Sequence, residues 1–170
     1  MKRTPLLLLI LLLIIAIAIT ALRVIATPAS QPESNFAFRF EFGACNTDIL
    51  DAFEGTFTQD RIIEPSITIS LRLSEEQMVT IYQKMMGIDF FDYPDEFVIS
   101  HPVGIQSPAK EYFITVRNGE TAKNVHWIDD YFNPMDRRSV KLNALFRMIM
   151  EMIWEHPEFK KLPELNAGCL

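Results

Sequence analysis

The chain is poor in the residues that carry out most enzyme chemistry. It has only three histidines and two cysteines among 170 residues, and His101, His126 and His156 are far apart in the sequence. It contains no His-x-x-Glu-His zinc motif, no glycine-rich phosphate loop and no Gly-x-Ser-x-Gly nucleophile motif. The sequence therefore predicts no catalytic residue, no cofactor and no structural zinc site, and it favours a protein that is not an enzyme.

Beyond the N-terminal segment, acidic residues clearly outnumber basic ones. Lys2, Arg3 and Arg23 are three of the 16 basic residues and precede residue 24, whereas all 22 acidic residues follow it, so the remainder carries a net charge of −9. An acidic domain is unsuited to nucleic acid or anionic lipid head groups, because both are negatively charged. The charge is compatible with a basic partner or with divalent cations.

One long apolar run is present, and it covers Leu6–Leu22 with Thr20 as its only polar residue. At the helical rise of about 1.5 Å per residue, the run covers most of a bilayer core. Lys2 and Arg3 precede it and are expected to keep the N-terminus in the cytoplasm. The run therefore predicts that the following residues lie outside the cytoplasm.

This run defines the expected domain organisation. Residues 1–26 are predicted to be a signal anchor or a signal peptide, 27–35 a polar linker containing proline, and 36–170 a single extracytoplasmic domain. The length of the run favours an uncleaved anchor and a single-pass membrane protein with its C-terminal domain outside. Cleavage near Ala26, which would give a secreted protein, is the alternative.

Alternating apolar residues predict the strands. The first strand carries Phe36, Phe38, Phe40 and Phe42 on one face. Ile49–Thr58 is expected to be one extended segment, 59–65 a loop, and 67–73 another strand. Asn118-Gly119 predicts a hairpin with a type I′ turn, and it places His126 beside Glu111 on the face opposite the core. That buried face is expected to carry Tyr112, Ile114, Val116, Val125 and Trp127.

Two helices are expected. Ser74 and Gln77 form a capping box that begins the first helix, and Gly87 is expected to end it. The second helix runs from about Asp136 or Ser139 to His156, before Pro157. Its expected apolar face comprises Leu142, Leu145, Phe146, Ile149, Ile153 and Trp154. The sequence therefore predicts an α+β fold, with an antiparallel sheet of about five strands and both helices on one face.

The two cysteines, Cys45 and Cys169, both lie in the predicted extracytoplasmic part. An even pair outside the cytoplasm permits one disulfide that joins the C-terminal tail to the end of the first strand. The sequence alone leaves open whether the two residues meet.

Four acidic residues follow the first predicted helix and are candidate calcium ligands: Asp89, Asp92, Asp95 and Glu96. Carboxylate oxygens are ligands that Ca²⁺ prefers, but the spacing matches no calcium-binding loop, so a solvated acidic loop is the favoured interpretation. The same stretch is rich in aromatic residues. Their rings are expected to pack under the loop, and stacking on sugars or peptides is the alternative.

Three segments resemble proteins of one kind: FEGTFTQDRI at 53–62, PSITISLRLSEEQMVTIYQKMMGIDFFDYPDEF at 65–97, and LNALFRMIMEMIWEHPEFKKLPE at 142–164. They resemble an uncharacterised family of exported or lipoprotein-like proteins of spore-forming Gram-positive bacteria, and the resemblance covers most of the predicted domain. It implies an exported protein and attaches no activity. Many such relatives look like lipoproteins with a cysteine at the end of the signal, which this chain lacks, so the mode of anchoring does not carry over.

Three functions stay open. The favoured one is a non-enzymatic, membrane-anchored domain that binds another component of the cell envelope through residues 89–97. The second is a domain that senses a small ligand or Ca²⁺ through residues 89–96. The third is a small hydrolase, which would need His101 or the carboxylates to converge in one cleft.

Overall fold

The computed structural model describes residues 31–45, 47–98, 109–129 and 136–165. The predicted anchor and the first part of the predicted linker, residues 27–30, lie outside the described residues. Within the described ranges, no helix is long and apolar enough to cross a membrane.

Seven strands form one sheet in the order β4-β3-β2-β1-β6-β7-β5. They are β1 (Ala37–Gly43), β2 (Asp48–Asp51), β3 (Thr56–Arg61), β4 (Glu64–Ser70), β5 (Glu96–Val98), β6 (Lys110–Asn118) and β7 (Thr121–Asp129). All neighbouring pairs are antiparallel except β5 and β7, which are parallel. The α+β class is confirmed, but the sheet is mixed and has seven strands where about five were expected.

One additional strand arises because Ile49–Thr58 is not a single extended segment. The Asp51 carboxylate accepts hydrogen bonds from the backbone N–H groups of Phe53 and Glu54, at 3.0 and 3.1 Å, and so forms a turn. Gly55 follows with φ +70°, and a Cβ there would lie 2.7 Å from Cγ of Arg72. The chain therefore reverses, and β2 and β3 pair as a hairpin. The predicted loop at 59–65 is instead the end of β3, a tight turn and the start of β4.

Two helices cover one face of the sheet, as predicted. The helix α1 (Glu75–Gly87) contributes Tyr82, whose ring centroid lies 5.2 Å from that of Phe36. The helix α2 (Arg137–Glu155) contributes Phe146, whose centroid lies 4.9 Å from that of Phe40 on β1. Phe36 and Phe40 point to the same side of the chain, so both helices pack on the same face and enclose the core.

The helix boundaries follow the capping signals with one exception. The capping box of Ser74 and Gln77 is present, and the Asp136 carboxylate caps α2 by accepting from two N–H groups. Gly87 is still helical, and the chain leaves α1 through Asp89, which has φ +57°. Asp89 rather than Gly87 therefore makes the left-handed turn. Short 3₁₀ turns follow each helix, at Phe90–Asp92 and at Phe159–Lys161.

The β6–β7 hairpin has a register that differs by two residues from the predicted one. Asn118 pairs with Thr121, so Gly119 and Glu120 are the central residues of the turn. Gly119 has φ +62° and Glu120 does not have a positive φ, which is the pattern of a type II′ turn. Because side chains alternate with period two, a shift of two residues keeps every side chain on its face. The predicted buried face is therefore confirmed.

Residues from the second half of the predicted linker contact this hairpin turn. The N–H of Glu33 donates to Oδ1 of Asn118 at 2.9 Å, and the N–H of Gly119 donates to Oδ1 of Asn35 at 2.7 Å. The described chain therefore begins at the end of the sheet that holds the β6–β7 turn. The turns after β1 and β3 lie at the opposite end.

Candidate functional site

The second face of the sheet carries polar and charged side chains, and no helix of the described residues packs on it. We call it the open face. The register of the strands places on it Arg39, Glu41, Asp51, Thr58, Thr68, Glu96, Glu111, Phe113, Arg117 and His126. Arg39 bridges Glu41 and Asp51 at 2.9 and 3.0 Å across β1 and β2. The open face is therefore an ordered polar surface and not an unfilled apolar one.

His126 lies between two carboxylates from two different neighbouring strands. Its Nδ1 is 2.9 Å from Oε2 of Glu96 on β5, and its Nε2 is 2.7 Å from Oε1 of Glu111 on β6. We call these three residues the His126 clasp. The predicted placement of His126 beside Glu111 is confirmed, whereas nothing in the sequence indicated Glu96, because β5 reaches β7 from a distant part of the chain.

The clasp is suited to a doubly protonated imidazole. A neutral imidazole carries one N–H and can donate to one carboxylate only, whereas an imidazolium donates to both. Partial burial lowers the pKa of His126, but the hydrogen bonds and negative charges of Glu111 and Glu96 outweigh burial and raise the pKa above its usual value. The clasp therefore holds β5 most firmly when His126 is charged.

A depression of about 420 Å³ lies beside the clasp, at the end of the sheet where β1 finishes. It is lined by Glu41, which pairs with Arg39, by Glu111 and His126 of the clasp, and by Phe113, which is 36% exposed. The Phe113 and His126 rings meet edge to face with centroids 6.0 Å apart. Four carboxylates, those of Glu41, Asp51, Glu96 and Glu111, share only two basic partners, Arg39 and His126, so negative charge is in excess around the exposed ring. Such a surface suits an ammonium or guanidinium group.

The clasp does not have the geometry of a metal site. Glu96 and Glu111 contact opposite nitrogens of one ring, so the three side chains do not converge on a common point. Among the ranges that the structure describes, no group of three or more histidine, cysteine, aspartate or glutamate side chains is arranged to hold a metal ion.

The four calcium candidates are divided between two places. Asp89 and Asp92 line a surface depression together with the basic residues Arg137, Arg138 and Lys141. Asp95 forms an ion pair of 2.6 Å with Lys123, and Glu96 belongs to the clasp. Both pairs of acidic residues therefore have cationic neighbours that compete with a metal ion for the carboxylates.

The aromatic rings of 89–97 are mostly part of the core. Phe90, Tyr93 and Phe97 are buried, as is Trp127. Packing, the favoured interpretation of these rings, is confirmed, and the buried rings are not available to stack on a partner. These buried side chains therefore do not form the partner-binding surface expected at 89–97. The open face is the better candidate for a binding surface.

The remaining predicted residues fall partly outside the described residues. Cys45 lines the depression beside the clasp, but Cys169 is outside, so the disulfide between them stays a prediction. His101, which the hydrolase hypothesis names, also lies outside the described residues, so that hypothesis stays untested.

A comparison with models of known protein families found none that matches the chain, and a comparison with curated proteins found no significant match.

Proposed function

We propose that this protein is a non-enzymatic binding module of the bacterial cell envelope, anchored by its N-terminal apolar run and facing outside the cytoplasm. Its open face binds a positively charged group of another envelope component. The observation that carries the proposal is the depression on that face, where Glu41, Glu111 and the exposed Phe113 ring lie together.

The charge of the chain supports a basic partner. The part after residue 24 has a net charge of −9, which attracts cationic surfaces over distances of about a Debye length. In the depression, the carboxylates supply charge and the Phe113 face supplies a cation–π contact. A lysine or arginine side chain of a partner protein combines the charged head and the apolar stem that such a site accommodates.

The position of His126 supports binding over catalysis. The carboxylates of Glu96 and Glu111 occupy both ring nitrogens, so neither nitrogen is placed to accept a proton from a substrate. When His126 loses its charge, Glu111 becomes an unbalanced negative charge at the depression. Binding of a cationic partner should therefore strengthen as the pH rises through the pKa of His126.

The proposal is tested by crosslinking in cells with the full-length chain. A photoreactive phenylalanine analogue replaces Phe113, and in a matched variant it replaces Arg147, which lies on the solvent side of α2. We expect a defined crosslinked product from position 113 only, and we expect the double change Glu41→Gln and Glu111→Gln to remove it. Equal products from both positions, or a product that persists after the double change, would contradict the proposal.

A further inference from the structure

A second recess lies on the covered side of the sheet, below the C-terminal end of α2, and it is independent of the open face. It has a volume of about 410 Å³, within the range of small-molecule sites. Six apolar side chains form most of its wall: Phe42, Tyr112, Met150, Trp154, Phe159 and Leu165. We call it the α2 groove.

The α2 groove contains a buried polar group with no hydrogen-bond partner. Gln59 lies on the core side of β3 after Phe57, is 5% exposed and lines the groove. Its Oε1 accepts no hydrogen bond. Buried side-chain amides in folded proteins nearly always have partners, so an unpaired one calls for an explanation. A donor on a molecule bound in the groove would supply the missing hydrogen bond.

Trp154 gives a separate indication. The sequence predicts it on the buried face of α2, yet it is 47% exposed and stands at the groove, whereas its helix neighbour Ile153 is fully buried. A large exposed ring beside an apolar recess is a surface that a bound apolar molecule would cover.

We propose that the α2 groove binds a small uncharged molecule with an apolar body and one N–H or O–H group, and that this group donates to Gln59. The apolar body packs between Trp154 and Phe159. One basic and one acidic residue, Lys110 and Asp48, line the groove. Their charges balance, so a net charge on the ligand would not increase its affinity.

The experiment uses the full-length chain in lipid nanodiscs, with both tryptophans replaced by 5-fluorotryptophan. The chain has only two tryptophans, so fluorine NMR reports Trp154 at the groove and Trp127 in the closed core as an internal reference. The probes are indole, which has an N–H donor, and 1-methylindole, which has the same shape but lacks the donor.

We expect indole to shift the Trp154 resonance saturably while the Trp127 resonance moves little. We expect 1-methylindole to bind about fivefold more weakly, because one hydrogen bond contributes about that factor. In the variant Gln59→Leu, whose Trp127 resonance verifies the fold, the two probes should bind equally.

Three outcomes would overturn the proposal. One is the absence of a saturable shift at Trp154, which is also the result expected if the C-terminal segment 166–170 fills the groove. Another is a linear shift of both resonances, which indicates non-specific partitioning. The third is equal affinity of the two probes for the unmodified chain, a comparison that requires no variant.

Discussion

Changing His126 to glutamine should remove a pH-dependent part of the stability of the domain. Glutamine keeps a polar side chain of similar reach but carries no charge at any pH. In the native protein, the imidazolium joins β5 to β7 and β6 through Glu96 and Glu111. The variant therefore loses two charged contacts at the edge of the sheet and leaves the core unchanged.

The expected size follows from the exposure of the three side chains. His126 is 22% exposed, but Glu96 and Glu111 are 69% and 64% exposed, so solvent screens both pairs. Ion pairs of this kind contribute about 0.2–1 kcal/mol each, so the clasp should contribute about 1 kcal/mol in total. With a urea m value of about 2 kcal/mol/M, this loss lowers the unfolding midpoint by about 0.5 M.

The pH window follows from the raised pKa of His126. A histidine whose pKa is higher in the folded state stabilises the fold fully below its unfolded pKa of about 6.5, and the contribution disappears as the pH rises through the folded value. The unmodified protein and the variant should therefore differ at about pH 5.5 and converge at about pH 9.

The assay is urea unfolding of residues 31–170 at both pH values. Asn124→Gln is the matched control, because Asn124 lies on the same face of β7 as His126, is exposed and does not titrate. The control variant should differ from the unmodified protein by the same amount at both pH values. An equal effect of His126→Gln at both pH values would refute the argument.

Three further predictions concern the core, the backbone and the cysteines. Phe146→Ala should destabilise the domain by about 3–5 kcal/mol in the same urea assay, because its fully buried ring contacts three other rings, and a loss below about 1 kcal/mol would contradict the assigned core. Gly55→Ala should destabilise the domain by about 1–2 kcal/mol, because Gly55 has a positive φ. The control Gly87→Ala lies in a helix with open space at Cβ and should be neutral or stabilise by up to about 1 kcal/mol. Similar effects at both positions would refute the turn at Gly55. If Cys45 and Cys169 form the predicted disulfide, alkylation of the unfolded protein should label them only after reduction, and labelling without a reductant would exclude the bond.

Much of the sheet could be predicted because its burial pattern is local. The phenylalanines of β1 alternate strictly, and the hairpin residues keep their faces even though their register differs. The register itself could not be predicted from the Asn118-Gly119 pair. The side chain of Asn118 accepts a hydrogen bond from the N–H of Glu33, a residue distant in sequence. In the structure Asn118 is the last residue of β6 and not a central residue of the turn.

The candidate site depended on information that the sequence does not display locally. Only three residues form β5, too few for any periodicity, and the strand pairs in parallel with β7 beyond the hairpin. The sequence therefore placed His126 beside Glu111 but could not bring Glu96 to the same ring. The sequence spacing of the four acidic residues suggests one cluster, whereas the fold distributes them among different cationic neighbours.

The strand order also determines when each part of the sheet becomes available during synthesis. Among β1 to β4, each strand pairs with its neighbour in the chain, so that block can form early, whereas the other edge of β1 stays unpaired until β6 is made. Until residues 111–117 are made, the nascent chain exposes an unpaired edge on the strand that is richest in phenylalanine. β5 is made before β6 and β7. Because it pairs only with β7, it stays unpaired until β7 has been synthesised. During this interval the newly made chain is at risk of aggregation. The risk ends only when β6 and β7 have been synthesised and have paired with β1 and β5.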